Sequence, residues 1–294
     1  MSQLGLSLYQ ACRREFVLPE DCLKASNAEV KRIRKLKVID DFLNQHHYLH
    51  SGTGQKSVGV ITRAYGLFIG GMLAGVTVYN PPSTRSIPVY LFGQSCDSAE
   101  LCQGTLAMSR LVCHPDIPFN GSGFLISHSL RLIREDNQER IALGKPIFRT
   151  VITFADTLFH SGAVYRGVNA WFAGVSDGGG HLGGFYHPET GNYIHVRQGR
   201  KTLRLKDCPP GFKPFKASPK LRYLFFTGSK QDQLNTMQRL DPQVKFLCKV
   251  DQFSVLKEGR LAKLSDMRSY EEVYRICGAR GTEKAGRYVD YLSR

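Results

Sequence analysis

Apolar positions change period several times along the chain. Val30, Ile33, Leu36, Ile39 and Leu43 recur at helical spacing behind Ser26 and Glu29, a capping-box pair. They predict a first helix over residues 27–46, ending in His46-His47-Tyr48-Leu49-His50. SVGVITR and AYGLFI then run into Gly70-Gly71, and MLAGVTVYN follows up to Pro81-Pro82, which reads as strands joined by a tight glycine hairpin. IPVYLF and TLAMSRLVC read as two further strands around a polar loop over 95–103. After the turn-rich HPDIPFNGSG, a helix starts near Ser122 and buries Phe124, Leu125, His128, Leu132 and Ile133. FRTVITFAD is a buried-type strand, and residues 161–172 are expected to form a helix closed by Gly174 as a left-handed cap. A glycine-rich loop over 177–184, a hairpin within NYIHVRQGRKTLRLK and the strand LRYLFFT come next, before helices and loops over 229–294.

This order predicts a mixed α/β protein in which a central strand feeds a glycine-containing turn at a helix N-terminus, a natural anion site. With 294 residues, 42% of them hydrophobic, the chain can bury a sizeable core, which excludes a disordered or collagen-like protein. No apolar run reaches the roughly 18 residues of a membrane span, so a soluble, cytoplasmic protein without a membrane partner is expected. The eight cysteines show no CxxC spacing and are expected to be reduced.

Charge changes the picture more. The formal net charge is +15, and residues 197–239 alone carry 11 basic and 2 acidic groups. Phe212, Phe215 and Tyr223 are interleaved with these cations, a composition suited to phosphate and base contacts and equally to a solvated basic face. Arg197, Arg200, Lys201, Arg204, Lys213, Lys216, Lys220, Arg222 and Tyr223 are the candidate contacts to a polyanion.

Asn120-Gly121-Ser122-Gly123, between a strand and a helix, can turn backbone N–H groups toward a phosphate or carbonyl oxygen, or serve packing alone. It lacks the Gly-Lys-Ser/Thr of a Walker loop and does not match a dinucleotide fingerprint. Asp156 ends an apolar strand, with Tyr165 and Asn169 four residues apart beyond it. All three fit one cleft at the strand's carboxyl end. An N-cap role for Asp156 and a core role for Tyr165 fit equally well. His46 and His50, with Cys113-His114, complete no tetrahedral ligand pattern, so no metal is assigned. No Gly-x-Ser-x-Gly elbow is present, which disfavours covalent hydrolase chemistry.

Met108-Ser109-Arg110-Leu111, Asn120 with Ser122, Phe154-Ala155-Asp156, Ser161-Gly162-Ala163-Val164-Tyr165-Arg166-Gly167-Val168-Asn169 and Lys220-Leu221-Arg222-Tyr223 occur in that order. Over about residues 30–228 the set resembles the phage Mom DNA-modification proteins, of the GNAT acyltransferase-like superfamily. His47-Tyr48-Leu49 resembles theirs too. The resemblance implies a GNAT-like, mostly antiparallel central sheet flanked by helices over 27–228, with extensions over 1–26 and 229–294. It also implies that the polyanion is double-stranded DNA and that a carbamoylmethyl group is transferred to N6 of its adenine, which protects phage DNA from restriction in the bacterial host cytoplasm. The donor it implies is acyl-CoA-type or glycine-derived. One departure is clear: the acetyltransferase pyrophosphate loop reads Gln/Arg-x-x-Gly-x-Gly/Ala, and Pro118 stands here in its first position.

On this reading the target adenine is flipped from the duplex into a pocket with His47, Tyr48 and Asn169. Asp156 orients its amine or takes its proton, and Tyr165 donates to the leaving group or developing oxyanion. Ser122, with Asn120, Gly121 and Gly123, binds the donor's carbonyl or phosphate. Arg110 anchors an anionic donor group or Asp156, or else forms a structural ion pair. Two rivals stay open: an acetyl-CoA-dependent N-acyltransferase acting on a protein or small amine, and a DNA-binding protein without catalysis.

Overall fold

The first apolar run does not stay helical. Ala28–Arg32 is a strand, β1, and the helix α1 starts only at Leu36 and ends at His46. In β1 burial alternates residue by residue, with Glu29 and Lys31 exposed, so period two overrides the helical spacing expected from Ser26 and Glu29. The charges also blunt an edge strand. The computed structural model describes residues 27–47, 53, 63–94, 96, 99–114, 116–117, 120–156, 162–176, 181–190, 192–198, 201–217 and 219–249. Tyr48, His50, Arg200, the 177–180 part of the glycine-rich loop, most of SVGVITR and everything after 249 lie outside them.

β2 (Arg63–Ile69) and β3 (Met72–Asn80) form the expected hairpin, with Gly70 at φ 56° and Gly71 at φ 81°, the left-handed pair such a turn requires. IPVYLF is a correction: Ser86–Phe92 is a helix, α2, not a strand. Pro88 sits in its first turn, where a missing N–H costs nothing, and Gly93 at φ 85° closes it. After α3 (Ala99–Gln103) come β4 (Thr105–Cys113), α4 (Gly121–Ala142) and β5 (Thr150–Asp156), all where the pattern put strand, helix and strand.

The helix expected over 161–172 shrinks to α5, Ala163–Arg166. Asn169 has φ 61°, which no helix interior accommodates, and β6 (Trp171–Ser176) follows. Gly174, at φ 96°, lies within β6 and caps nothing. β7 (Leu182–Tyr186), β8 (Tyr193–His195), β9 (Arg197–Gln198), β10 (Lys201–Thr202), β11 (Lys213–Lys216), β12 (Lys220–Phe226), α6 (Lys230–Gln238) and α7 (Pro242–Lys249) complete the described chain.

Seven strands are ordered β1-β2-β3-β4-β5-β12-β6. β4 and β5 are parallel, while the β1–β2, β2–β3, β3–β4 and β12–β6 pairs are antiparallel. A mixed, mostly antiparallel sheet with helices is therefore the fold. β9–β10 is a separate small hairpin, and β11-β7-β8 a three-stranded antiparallel sheet.

Backbone contacts divide the chain into two units. The first holds the described residues up to Thr153, Gly167–Asn169 and Phe225–Asp241. The second holds Phe154–Arg166, Ala170–Leu224 and the described residues from Pro242 on. In the first, α1 lays Val38, Ile39, Phe42 and Leu43 on Ala64, Phe68, Val76 and Val78. Each such burial removes roughly 1.5–3 kcal/mol of apolar exposure. The alternate face of β2 and β3 meets α4: Tyr79 and Ser129 share a hydrogen bond of 2.6 Å, and Tyr65 donates to Asp136 at 3.2 Å. Asn137 holds Phe148 twice, accepting from its N–H at 2.7 Å and donating to its carbonyl at 2.9 Å. In the second unit α7 packs on β6, burying Val244, Leu247 and Cys248.

Candidate functional site

The chemistry expected near the Asn-Gly-Ser corner falls in the first unit. β4 carries a bulge: Val78 faces Arg110 and Tyr79 faces Met108, so Ser109 has no partner residue on β3. The Ser109 hydroxyl fixes it by donating to the Val78 carbonyl at 3.2 Å and accepting from Asn80 Nδ2 at 2.7 Å. Pairing with β5 covers only Thr105–Met108 against Thr150–Thr153, so the rest of β4, with Arg110, runs on without β5. Arg110 Nη1 donates to the Ser109 carbonyl at 2.8 Å.

At the start of α4, Asn120 is the N-cap, its Oδ1 accepting from Gly123 N–H at 3.0 Å. A Cβ on Gly123 would overlap the Asn120 carboxamide, and one on Gly121 would press on Ile117. Both glycines are thus set by packing. The Gly123 amide, engaged by the cap, is withdrawn from any phosphate, which adds to the Pro118 departure from the acetyltransferase loop. Ser122 shares a hydrogen bond with Cys113, yet burial pushes that thiol up to about 11. Cys113 is therefore a protonated thiol at neutral pH, without the thiolate a nucleophile requires.

His46, at the end of α1, and His114, just after β4, meet edge to face with centroids 4.9 Å apart. Burial depresses both imidazoles; His46 is lowered further by His114, and Asp116 partly opposes the shift at His114. His114 Nδ1 accepts from the Asp116 N–H at 3.3 Å. The sequence set His46 and His50 beside Cys113-His114 as an incomplete ligand pattern; of these, His46 and His114 meet, and His50 lies outside the described residues. His47, an expected pocket residue, is buried.

Asp156 and Tyr165 lie in the second unit. β5 is buried along most of its length, and Asp156 is its first and last charge, 9% exposed. Lys220, which opens β12, stands with Nζ 3.7 Å from Asp156 Oδ2. Lys220, read from the sequence as a phosphate contact, is half-buried and faces this carboxylate. Tyr165 is 5% exposed, its ring 5.5 Å from that of Tyr223.

Tyr223 is a correction. Only 1% exposed, it packs on Tyr165 and Phe172, lies where a Cβ on Gly162 would sit, and accepts from Arg166 Nη1 at 2.8 Å. A phenol so enclosed stacks on no external base. Gly162, at φ 72°, gives the close approach and the left-handed turn at once. Asn169, expected one helical turn after Tyr165, is exposed beyond the end of α5, so the two share no helix face. Arg166 was missed. Its signal was a lone cation directly after Tyr165.

Of the expected DNA contacts, Lys201, Arg204 and Lys213 are exposed and Lys216, Lys220 and Arg222 half-buried, whereas the side chains of Arg197 and Arg200 lie outside the described residues. No helix among the described residues is long and apolar enough to cross a membrane.

Solved structures similar to the chain include three acetyltransferases. The ribosomal-protein-S18-alanine N-acetyltransferase from Escherichia coli is 9% identical, with TM-score 0.38, over 69% of this chain and 95% of that one. An N-acetyltransferase from Staphylococcus aureus is 12% identical, with TM-score 0.35, over 68% and 98%. A GNAT family acetyltransferase from Elizabethkingia anophelis, with acetyl-CoA bound, is 8% identical, with TM-score 0.33, over 68% and 98%. No curated protein matches in sequence. The model of the Mom protein family matches residues 27–243, from the residue before β1 into the first turn of α7. That span holds the β4 bulge, the Asn120 cap, Asp156 and Tyr165, and the chain belongs to the Mom protein family.

Proposed function

We propose that this protein is a DNA-modifying transferase that places a carbamoylmethyl group on N6 of adenine, shielding phage DNA from restriction in a host cytoplasm. The observation that carries the reading is the family match, which spans every catalytic residue assigned from the sequence. The adenine amine is a weak nucleophile because its lone pair is delocalised into the ring, so it needs a base or an orienting acceptor. Asp156, at the end of a buried strand with one oxygen toward Lys220, supports that role. It takes the N6 proton as the nitrogen bonds to the donor's methylene carbon and the bond from that same carbon to its leaving group breaks, while Tyr165 hands its proton to the group that departs. Arg110 and Ser122 are kept for the donor, a co-substrate that carries its leaving group on the methylene carbon, and His47, Tyr48 and Asn169 for the base.

Adenine in double-stranded DNA is reached by base flipping, at a cost of a few kcal/mol. The exposed Lys201, Arg204 and Lys213 supply sequence-independent phosphate attraction. An acetyl-CoA-dependent acyltransferase is the weaker reading, since the Gly123 amide is engaged by Asn120.

Mass spectrometry of nucleosides from DNA of cells expressing the protein tests the proposal. A modified adenosine heavier by one carbamoylmethyl group is expected, and its disappearance in the Asp156→Asn variant. An unchanged nucleoside profile beside acetyl-CoA consumption would replace the reading with the acyltransferase.

A further inference from the structure

The sheet β11-β7-β8 is sorted by its register into two unlike faces. Residues opposite one another on neighbouring strands share a face, so Lys213, Tyr186 and Tyr193 form one row across the three strands. Phe215, two residues along β11 from Lys213, lies on the same face beside this row, 3% exposed, with its ring 6.4 Å from that of Tyr186 and in one cluster with both tyrosines. Phe185 alternates to the opposite face and is fully buried. Tyr186 and Tyr193 are half-buried, and Lys213, at the end of the row, is exposed.

A row of two half-buried tyrosines held against the buried Phe215 ring and ended by a cation has the chemistry of a nucleobase-stacking platform. Every base has a π-face, so a partly exposed tyrosine ring accepts any of them by stacking. The cation beside them matches the phosphate that follows the base. Charge decides the occupant: the stretch over 197–239 that contains β11 holds 11 basic and 2 acidic groups, which attracts a polyanion.

We infer that the Lys213–Tyr186–Tyr193 row is a binding surface for unpaired DNA bases, which holds single-stranded nucleotides by stacking. The inference rests on the DNA-modification reading and deepens it by naming the DNA form engaged. Bases next to a flipped adenine lose their own stacking, and such a platform replaces it. The sequence had assigned the aromatic contacts to Phe212, Phe215 and Tyr223, but Phe215 and Tyr223 are buried, and neither tyrosine of the row was singled out.

The test uses the full chain with a single-stranded oligonucleotide containing 2-aminopurine and with the matching duplex. Wild type is expected to bind the single strand and quench the 2-aminopurine. Tyr186→Phe and Tyr193→Phe should keep both properties, while Tyr186→Leu and Tyr193→Leu should each weaken binding by roughly tenfold and relieve the quench. Lys213→Gln, at an exposed position that folding tolerates, should lower the salt slope of binding by about one unit. Leucine variants that bind and quench like wild type, beside a Lys213→Gln variant with unchanged slope, overturn the platform. If those same variants still modify adenine, the function stands without it. A wild-type chain that neither binds nor modifies any DNA overturns both.

Discussion

Gly162 shows how one position can carry two constraints that a sequence pattern does not separate. Its φ of 72° disfavours any side chain, and the Tyr223 ring occupies the space of a Cβ. Gly162→Ala should destabilise the protein by about 1–3 kcal/mol, seen as a lower Tm in calorimetry, and should shift the Tyr165 and Tyr223 rings in near-UV circular dichroism. The histidine pair gives a second outcome at this scale. Both imidazoles are depressed below the ordinary value of 6.5 in the folded state, so near that pH the unfolded chain binds more protons than the folded one. Stability must then fall as pH drops through 6.5 toward the depressed values, and be insensitive to these groups well above it. Urea unfolding from pH 8 to pH 5 should show this loss, with a shallower slope in the His46→Gln variant. Both histidines were legible as members of one imagined cluster, but their edge-to-face contact was not, since one closes a helix and the other follows a strand far along the chain.

Elements were read well where one period dominates. The runs of β3, β4, β5 and β12 lie where the alternation put them, because burial and local propensity agree there, whereas of the stripe expected on α4 only Leu125 and Ile133 are buried and Phe124, His128 and Leu132 are half-buried. They were misread where two periods overlap or a breaker falls at a tolerated place. Val30, Ile33 and Leu36 satisfy helical spacing, yet Val30 belongs to a strand paired with β2. IPVYLF was read as a strand, yet its Pro88 sits in the first turn of α2, where a missing N–H is tolerated. Helix α4 owes its position to two polar devices. Asn120→Ala removes its cap and should cost about 1 kcal/mol by chemical denaturation. Asn137→Ala leaves the Phe148 N–H and carbonyl without the side chain that holds them and should cost on the order of 3 kcal/mol, with faster amide exchange at Phe148.

For the molecule as a whole, the charge asymmetry sets the expected behaviour toward DNA. With a net charge of +15, DNA affinity should fall steeply and linearly in log–log form as salt rises, by about 0.9 per phosphate neutralised. Neutralising Lys201, Arg204 and Lys213 together should remove up to about three units of that slope while leaving the Tm nearly unchanged, because all three are exposed. The sequence by itself determined the order of most strands and helices, the basic stretch, the glycine corner and the ordered residues of the Mom family. Each of these depends on local composition and spacing. Only the tertiary structure decided which side chains the sheets enclose. Register and bulges set the faces of a strand, and these follow from pairing with distant strands. That pairing is what turned Tyr223 inward and brought Lys220 to Asp156.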